Sequence, residues 1–207
     1  MKLTKGGGDS LAARLIAQHP ELALASPSPG DAGLAQRLDF DTSGVIIGAF
    51  SKSIWEALHL ALLKGEVTKS YTALVEGEFK DSITISTHIG SPYRGAKKVK
   101  IYTAPPPPSA RALPGATTFT PLRYLKEHNA SIISASASPA RRHQIRAHAA
   151  HLAHPLIGDT LYGSKAKLPP ALGGDDRSFI LHADQVSLYH PLSGELITIR
   201  SELEIKA

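Results

Sequence analysis

Short segments in which apolar and polar residues alternate recur along this chain, and no other feature limits its fold as strongly. A period of two is typical of strands that bury one face. The segments are "KSYTALVEGEF" from Lys69, "ITISTHIG" from Ile83, "TTFTPLRYL" from Thr117, "ASIISASA" from Ala130, "FILHADQVSLYH" from Phe179 and "ELITIRSEL" from Glu195. The third and fourth predict a hairpin. The β-branched run "SGVIIGAFS" from Ser43 predicts a further, buried strand.

Three segments are predicted to be helical. They are 9–22, with Asp9 and Ser10 as candidate N-caps, 53–66, with Gly65 near its end, and 141–154, which lacks proline and glycine. Pro105 to Pro108 cannot lie inside a helix or a central strand, so a loop between strands is expected there. Few helices and many short strands predict an α+β fold, with one domain over residues 1–207.

The composition narrows the function. The chain has no cysteine, which excludes disulfides, thiolate metal sites and a cysteine nucleophile. No apolar run approaches the roughly 18–20 residues that span a bilayer, and the first residues do not resemble a signal peptide, so a cytoplasmic protein is expected. The net charge of +5 favours a polyanionic partner, nucleic acid above all.

Residues 141–155, "RRHQIRAHAAHLAHP", combine three arginines with four histidines. His148, His151 and His154 are three residues apart, whereas helical zinc sites more often use i, i+4 pairs, so we expect packing and capping histidines and no metal site. His154, just before Pro155, is expected to cap the helix end. The arginines could bind phosphates or a carboxylate, or form a solvated basic face. The segment alone does not decide between these alternatives.

The segment "QRLDFDTSG", residues 36–44, places Asp39 and Asp41 in a polar turn before the predicted buried strand. A carboxylate on a loop held by a rigid strand suits a nucleophile or a general base. The same composition is also typical of a purely structural Asx-turn. The residues alone leave both interpretations open.

Four blocks in the same order resemble the RluA-type pseudouridine synthases. "QRLDFDTSG" resembles that family's HRLDxxTSG signature, and "KSYTALVEG" its KxYxAxVxG strand. "RRHQIRAHAAHLAHPLIGDTLYG" resembles its GRTHQIRVHxxxxGHPIxGDxxYG segment, and "FILHADQVSLYHPLSGE" its LHAxxLxxxHPxxGE tail. The resemblance implies a mixed, mostly antiparallel sheet with flanking helices and loops around a central basic cleft. It also implies isomerisation of uridine to pseudouridine in RNA, without metal or organic cofactor.

The resemblance also assigns residues. It implies that Asp39 is the catalytic aspartate, Arg146 its buried partner, and Tyr71 a residue that stacks on the target base and helps to move a proton. It implies that Arg37 helps to extrude the base, because a stacked base cannot present its glycosidic bond to a side chain. The remaining expected RNA-binding residues are Gln36, Thr42, Arg141, Arg142, His143, Lys97 and Lys98.

Several positions depart from the family pattern. Gln36 stands where the family has histidine, and glutamine cannot titrate. "PAR" at 139–141 replaces the family's TGR, and "AHP" at 153–155 replaces GHP. The N-terminal strand of the family is nearly absent, and we expect no S4-type RNA-binding domain.

These observations predict a monomeric enzyme that modifies ribosomal RNA, with transfer RNA as the second candidate and no obligate protein partner. The first alternative is a catalytically inactive RNA-binding protein on the same scaffold. An unrelated metal-dependent hydrolase that uses the histidines is the second alternative.

Overall fold

The computed structural model describes residues 10–173, 178–203 and 205. They contain one eight-stranded sheet. The strands are β1 (Ser43–Gly44), β2 (Thr68–Glu76), β3 (Ile83–Gly90), β4 (Lys100–Tyr102), β5 (Leu113–Leu125), β6 (Ala130–Ala137), β7 (Leu181–Tyr189) and β8 (Leu196–Arg200). Their order is β1-β7-β2-β6-β5-β3-β4, and β8 pairs with β7. All the pairs are antiparallel except β1 with β7. The predicted α+β fold, its β5–β6 hairpin and the proline loop are confirmed.

Side chains of β2 contribute to apolar clusters on both faces of the sheet. Tyr71, Ala73 and Val75 point to one face, where they pack with residues such as Phe119 and Ile133. Leu74 points to the opposite face and belongs to a second apolar cluster. Because the side-chain period of a strand is two, the neighbouring Lys69 lies on the same face as Tyr71.

Three α-helices accompany the sheet in the described residues: α1 (Leu11–Gln18), α2 (Lys52–Lys64) and α3 (Gln144–His151). Ser10 caps α1, because its Oγ accepts the Ala13 N–H at 3.1 Å. Asp9, the other candidate cap, lies outside the described residues. Gly65 ends α2 in the left-handed region (φ 76°), as predicted. None of the helices described is long and apolar enough to cross a membrane.

The predicted strand over 43–51 is wrong in part. Only Ser43 and Gly44 pair with β7; after Val45, which donates its N–H to the Ala183 carbonyl, the chain turns away. It then bonds to the segment around residues 33–35. Alternate apolar side chains of this segment are nevertheless buried against α2. The β-branched pattern therefore correctly predicts that these side chains are buried, although the segment does not pair as a regular strand.

The predicted helix over 141–154 is shorter than expected. His143 has φ 54°, a left-handed conformation that a helix cannot contain, so α3 begins at Gln144. Ala153 (φ 64°) likewise follows the helix end at His151. The expected capping role of His154 is wrong, because its Nδ1 lies 2.7 Å from the Glu76 carbonyl oxygen of β2. The contact of His154 with β2 therefore outweighs the helical pattern of the local sequence.

Gly44 fixes how closely the loop that follows Asp39 approaches β7. Its φ is 107°, and an added Cβ would lie 2.2 Å from the Ala183 carbonyl oxygen. Gly95 also has a positive φ (85°), but a Cβ there meets nothing within 4 Å. We expect Gly44→Ala to lower the free energy of unfolding by about 1–3 kcal/mol more than Gly95→Ala, measured by urea denaturation. Equal losses would contradict a steric role for this contact.

Candidate active site

A cavity of about 300 Å³ opens beside β2, between α2 and the start of α3. It brings together nearly all the residues that the sequence analysis selected. Its lining includes Gln36, Arg37, Asp39, Thr42, Tyr71, Arg141, Arg142, His143 and Arg146. Lys97 and Lys98 do not line it. Segments that are more than 100 residues apart in the chain thus meet in one cavity.

Arg146 joins two carboxylates. Its Nη1 donates to Asp39 Oδ2 at 3.1 Å, and its Nε and Nη2 donate to the two oxygens of Asp159 at 2.6 and 2.9 Å. Arg146 and Asp159 are only 6% and 2% exposed. Burial lowers the pKa of Arg146, but the hydrogen bonds and charges of Asp159 and Asp39 outweigh it, and the pKa is raised overall. A permanently charged guanidinium therefore holds Asp39 in one orientation.

Asp159 is a residue that the sequence analysis missed as part of the site. It anchors the planar guanidinium in a two-pronged pair through Nε and Nη2, which leaves Nη1 to donate to Asp39. The guanidinium also lies over the Phe179 and Tyr162 rings, 4.5 and 5.1 Å from their centroids. Asp159 stands in "GDTLYG", and its match to the aspartate of the family's GDxxYG pattern was the available signal.

His143 lies on the other side of Asp39. Its Nε2 is 3.7 Å from Asp39 Oδ1, and its Nδ1 is 3.0 Å from the Tyr162 hydroxyl. That hydroxyl accepts the Val99 N–H at 2.9 Å, so its own proton is free to be donated to Nδ1. A neutral imidazole that accepts this proton at Nδ1 carries its own proton on Nε2, which faces Asp39. Burial lowers the pKa of His143 to about 4, although the charge of Asp39 opposes the shift.

Tyr71 lines the same cavity from β2 and is 8% exposed. Burial, followed by the negative charges of Asp39 and Asp184, raises the pKa of its hydroxyl to about 12. The phenol therefore stays protonated near neutral pH and can donate a hydrogen bond or a proton.

The loop that carries Asp39 is held by its own backbone. The Thr42 N–H donates to the Asp39 carbonyl oxygen at 3.0 Å and closes a turn. Gln36 Nε2 lies 3.5 Å from the Val45 carbonyl oxygen, a long contact. The Thr42 hydroxyl oxygen is buried and has no hydrogen-bond partner in the described part of the chain. Arg37 is exposed at the cavity mouth.

Arg141 and Arg142 lie at the rim of the cavity. The Arg141 Nε donates to the Pro114 carbonyl oxygen at 3.3 Å, and Arg142 donates to the Ser91 hydroxyl and the Lys97 carbonyl. Lys97 and Lys98 lie in the loop between β3 and β4, where both are exposed outside the cavity. Their contact with RNA remains a prediction.

The other histidines of the segment have different surroundings. His148 is completely buried, with its ring nitrogens 2.8 Å from the Thr117 hydroxyl and 2.9 Å from the Thr87 hydroxyl. Burial and the nearby His151 lower its pKa to about 4. Across the described ranges, no group of three or more His, Asp or Glu side chains is arranged to hold a metal ion.

The buried His148 and the largely buried His143 predict an acid-sensitive fold. The pKa values of His143 and His148 are about 4 in the folded protein and about 6.5 when exposed. Their stabilising effect is therefore complete above pH 6.5 and is lost as the pH falls towards 4. We expect the free energy of unfolding to fall by up to about 2.7 kcal/mol per pH unit in this window, because the unfolded chain binds up to two more protons.

Urea unfolding between pH 7 and 5 measures this slope. His148→Gln should make this slope smaller by the contribution of one proton, about 1.4 kcal/mol per pH unit. The matched change at the exposed His128 should leave the slope unchanged. A stability that is constant over this range would show that the histidines are not held neutral.

Comparison with known proteins points to one family. Residues 18–151 match the family model described as RNA pseudouridylate synthase. Ribosomal large subunit pseudouridine synthase D of Vibrio vulnificus is 32% identical over 171 residues, which are 79% of this chain and 50% of that protein. Synthase C of Haemophilus ducreyi is 34% identical over 182 residues, or 83% and 52%. The chain thus spans about half the length of the curated relatives it matches.

A solved structure has a similar fold. Human RNA pseudouridylate synthase domain containing 1 superposes with a TM-score of 0.68 at 23% identity, covering 93% of this chain and 74% of that one. At this identity the likeness concerns the fold alone, and it confirms the predicted fold class.

Proposed function

The chain belongs to the RNA pseudouridylate synthase family, and we propose on this basis that it converts specific uridines in structured RNA to pseudouridine. Ribosomal RNA is the favoured substrate, because the curated relatives are named for the large ribosomal subunit. Transfer RNA is the second candidate. The observation that carries the proposal is the Asp39–Arg146 pair in a cavity that Tyr71 also lines.

The proposed chemistry centres on Asp39. Isomerisation breaks the bond between N1 of the base and C1′ of the ribose, turns the base, and joins its C5 to C1′. A carboxylate can assist by attacking the ribose or by initiating glycal formation, and both routes need an ionised, oriented group. Arg146 binds one oxygen of Asp39, and the other oxygen faces His143 and the cavity. The charge and orientation that Arg146 gives to Asp39 thus support catalysis by this carboxylate.

The proposed role of Tyr71 is to stack on the base and supply or relay a proton. Its ring lies in the wall of the cavity, and its raised pKa keeps the hydroxyl protonated. When C5 joins C1′, C5 loses its proton and the freed N1 gains one. A phenol in the cavity can relay this proton if it donates its own as it accepts another.

The base must leave its helix before it can reach this cavity. A stacked and paired uridine hides its glycosidic bond, so extrusion precedes the chemistry. We propose that the exposed Arg37 at the cavity mouth helps to displace the base. Arg141, Arg142, Lys97 and Lys98 would bind phosphates, which makes the affinity strongly salt-dependent. We further propose that a single, monomeric catalytic domain acts in this way in the cytoplasm, without an obligate protein partner.

The test is release of tritium from uridine labelled at carbon 5, with ribosomal and transfer RNA assayed separately. Release from ribosomal RNA is the expected result. Release from transfer RNA alone would change the substrate but retain the reaction. Salt-dependent binding without release from either RNA would instead support an inactive RNA-binding protein.

A further inference from the structure

A buried lysine lines the candidate site without an anionic partner. Lys69 lies on β2, is 8% exposed and borders the cavity. Among the described residues, none forms an ion pair or hydrogen bond with its ammonium group, and burial alone lowers its pKa, to about 8. At pH 7 it therefore still carries a charge. Buried charges are normally paired, because an unpaired one is costly.

The rest of the cavity does not supply the missing anion. Among the described residues, Asp39 is the one carboxylate in the cavity lining. It is bound to Arg146, which Asp159 also binds. The other charged groups of the lining are the arginines of the mouth and rim, which add positive charge. The cavity therefore has an excess of positive charge at Lys69, which a negatively charged ligand would balance.

The position of Lys69 along β2 indicates which anion that is. Lys69 and Tyr71 are separated by one residue and point to the same face, so their Cα atoms are roughly 7 Å apart. A nucleotide whose base stacks on Tyr71 has its backbone phosphates within reach of a long, flexible side chain at this distance. An ammonium group binds phosphate well as a compact point charge.

We propose that Lys69 binds a backbone phosphate that flanks the uridine held in the cavity. This inference rests on the proposed function, because it needs a nucleotide in the cavity. It gives Lys69 a role different from that of Arg141 and Arg142. Those two side chains donate to protein oxygens at the rim, whereas Lys69 lines the cavity and its ammonium group has no bond to a described residue. Lys69 holds the RNA strand in place after the base has entered the cavity.

The test compares Lys69→Met with Lys126→Met in binding a ribosomal RNA fragment over a range of salt concentrations. Lys126 is an exposed lysine at the β5–β6 turn, at the end of β6 away from Ala137 and the cavity. For Lys69→Met we expect about 10-fold weaker binding at low salt. We also expect the slope of log affinity against log salt to become less steep by about 0.7–0.9, the value for one phosphate contact.

Two further measurements keep the result interpretable. Lys69→Met should raise the melting temperature by at least about 2 °C, because it removes an unpaired buried charge; this also shows that the variant folds. Lys69→Arg should restore the salt slope. An unchanged slope in Lys69→Met would overturn the proposal, and slower tritium release with that unchanged slope would indicate contact with the neutral base or ribose instead. A reduced slope in a protein that releases no tritium would retain the phosphate site and refute the isomerase activity.

Discussion

Asp39→Asn is expected to lower the rate of tritium release from labelled RNA on the order of 10³-fold or more, while RNA affinity changes by no more than about 2-fold. The amide has nearly the same shape but carries no negative charge and is a poor nucleophile. Binding should persist, because phosphate contacts made by lysines and arginines dominate RNA affinity. Single-turnover release and a filter-binding assay on the same RNA measure the two effects separately.

Asp41→Asn is the matched control for this prediction. It makes the same chemical change two residues away in the same turn, at a position outside the cavity lining. We expect it to retain release within about 3-fold, as most surface substitutions have small effects. Full activity in Asp39→Asn would refute the assignment of Asp39 and, with it, the proposed mechanism.

Arg146→Met is expected to lower the free energy of unfolding by about 3–5 kcal/mol and to abolish activity. The loss arises because Asp159, 2% exposed, keeps a buried negative charge after its two bonds to Arg146 are removed. Asp39 would lose its orienting donor at the same time. Guanidinium denaturation at neutral pH measures the stability, and tritium release measures the activity.

The double variant Arg146→Met/Asp159→Leu separates these two effects. Replacing both partners with apolar residues removes the uncompensated charge, so stability should recover by at least about 2 kcal/mol relative to Arg146→Met. Activity should not recover, since Asp39 still lacks its donor. A double variant as unstable as the single one would show that the cost comes from packing around Phe179 and Tyr162 and not from the buried charge.

Most of the sheet could be predicted from the sequence because six of its eight strands (β2, β3, β5, β6, β7 and β8) carry their own periodic signal. The alternation in β2, or in the β5–β6 hairpin, depends only on which face is buried. The conformation of His143 had no such signal. Its left-handed backbone accompanies contacts with Tyr162 and Asp39, 19 and 104 residues away along the chain, and no local pattern encodes such contacts.

The site could be predicted only as far as motif resemblance reached. The resemblance paired Asp39 with Arg146, which lie 107 positions apart, and the structure brings them within 3.1 Å. Asp159 and Lys69 were missed because their importance comes from burial. Both match lettered positions of the quoted motifs, but only the packed structure shows that one is paired and the other is not.

The parallel pairing of β1 with β7 has a consequence for synthesis on the ribosome. The turn that holds Asp39 is anchored through Ser43, whose Oγ lies 2.8 Å from Nδ1 of His182, 139 residues later in the chain. The nascent chain therefore exposes Asp39 early but cannot fix its position until β7 has emerged. Such distant pairings form late, because loop closure must precede them. A chain interrupted before residue 181 would contain Asp39, Tyr71, Arg146 and Asp159 and still lack an assembled site.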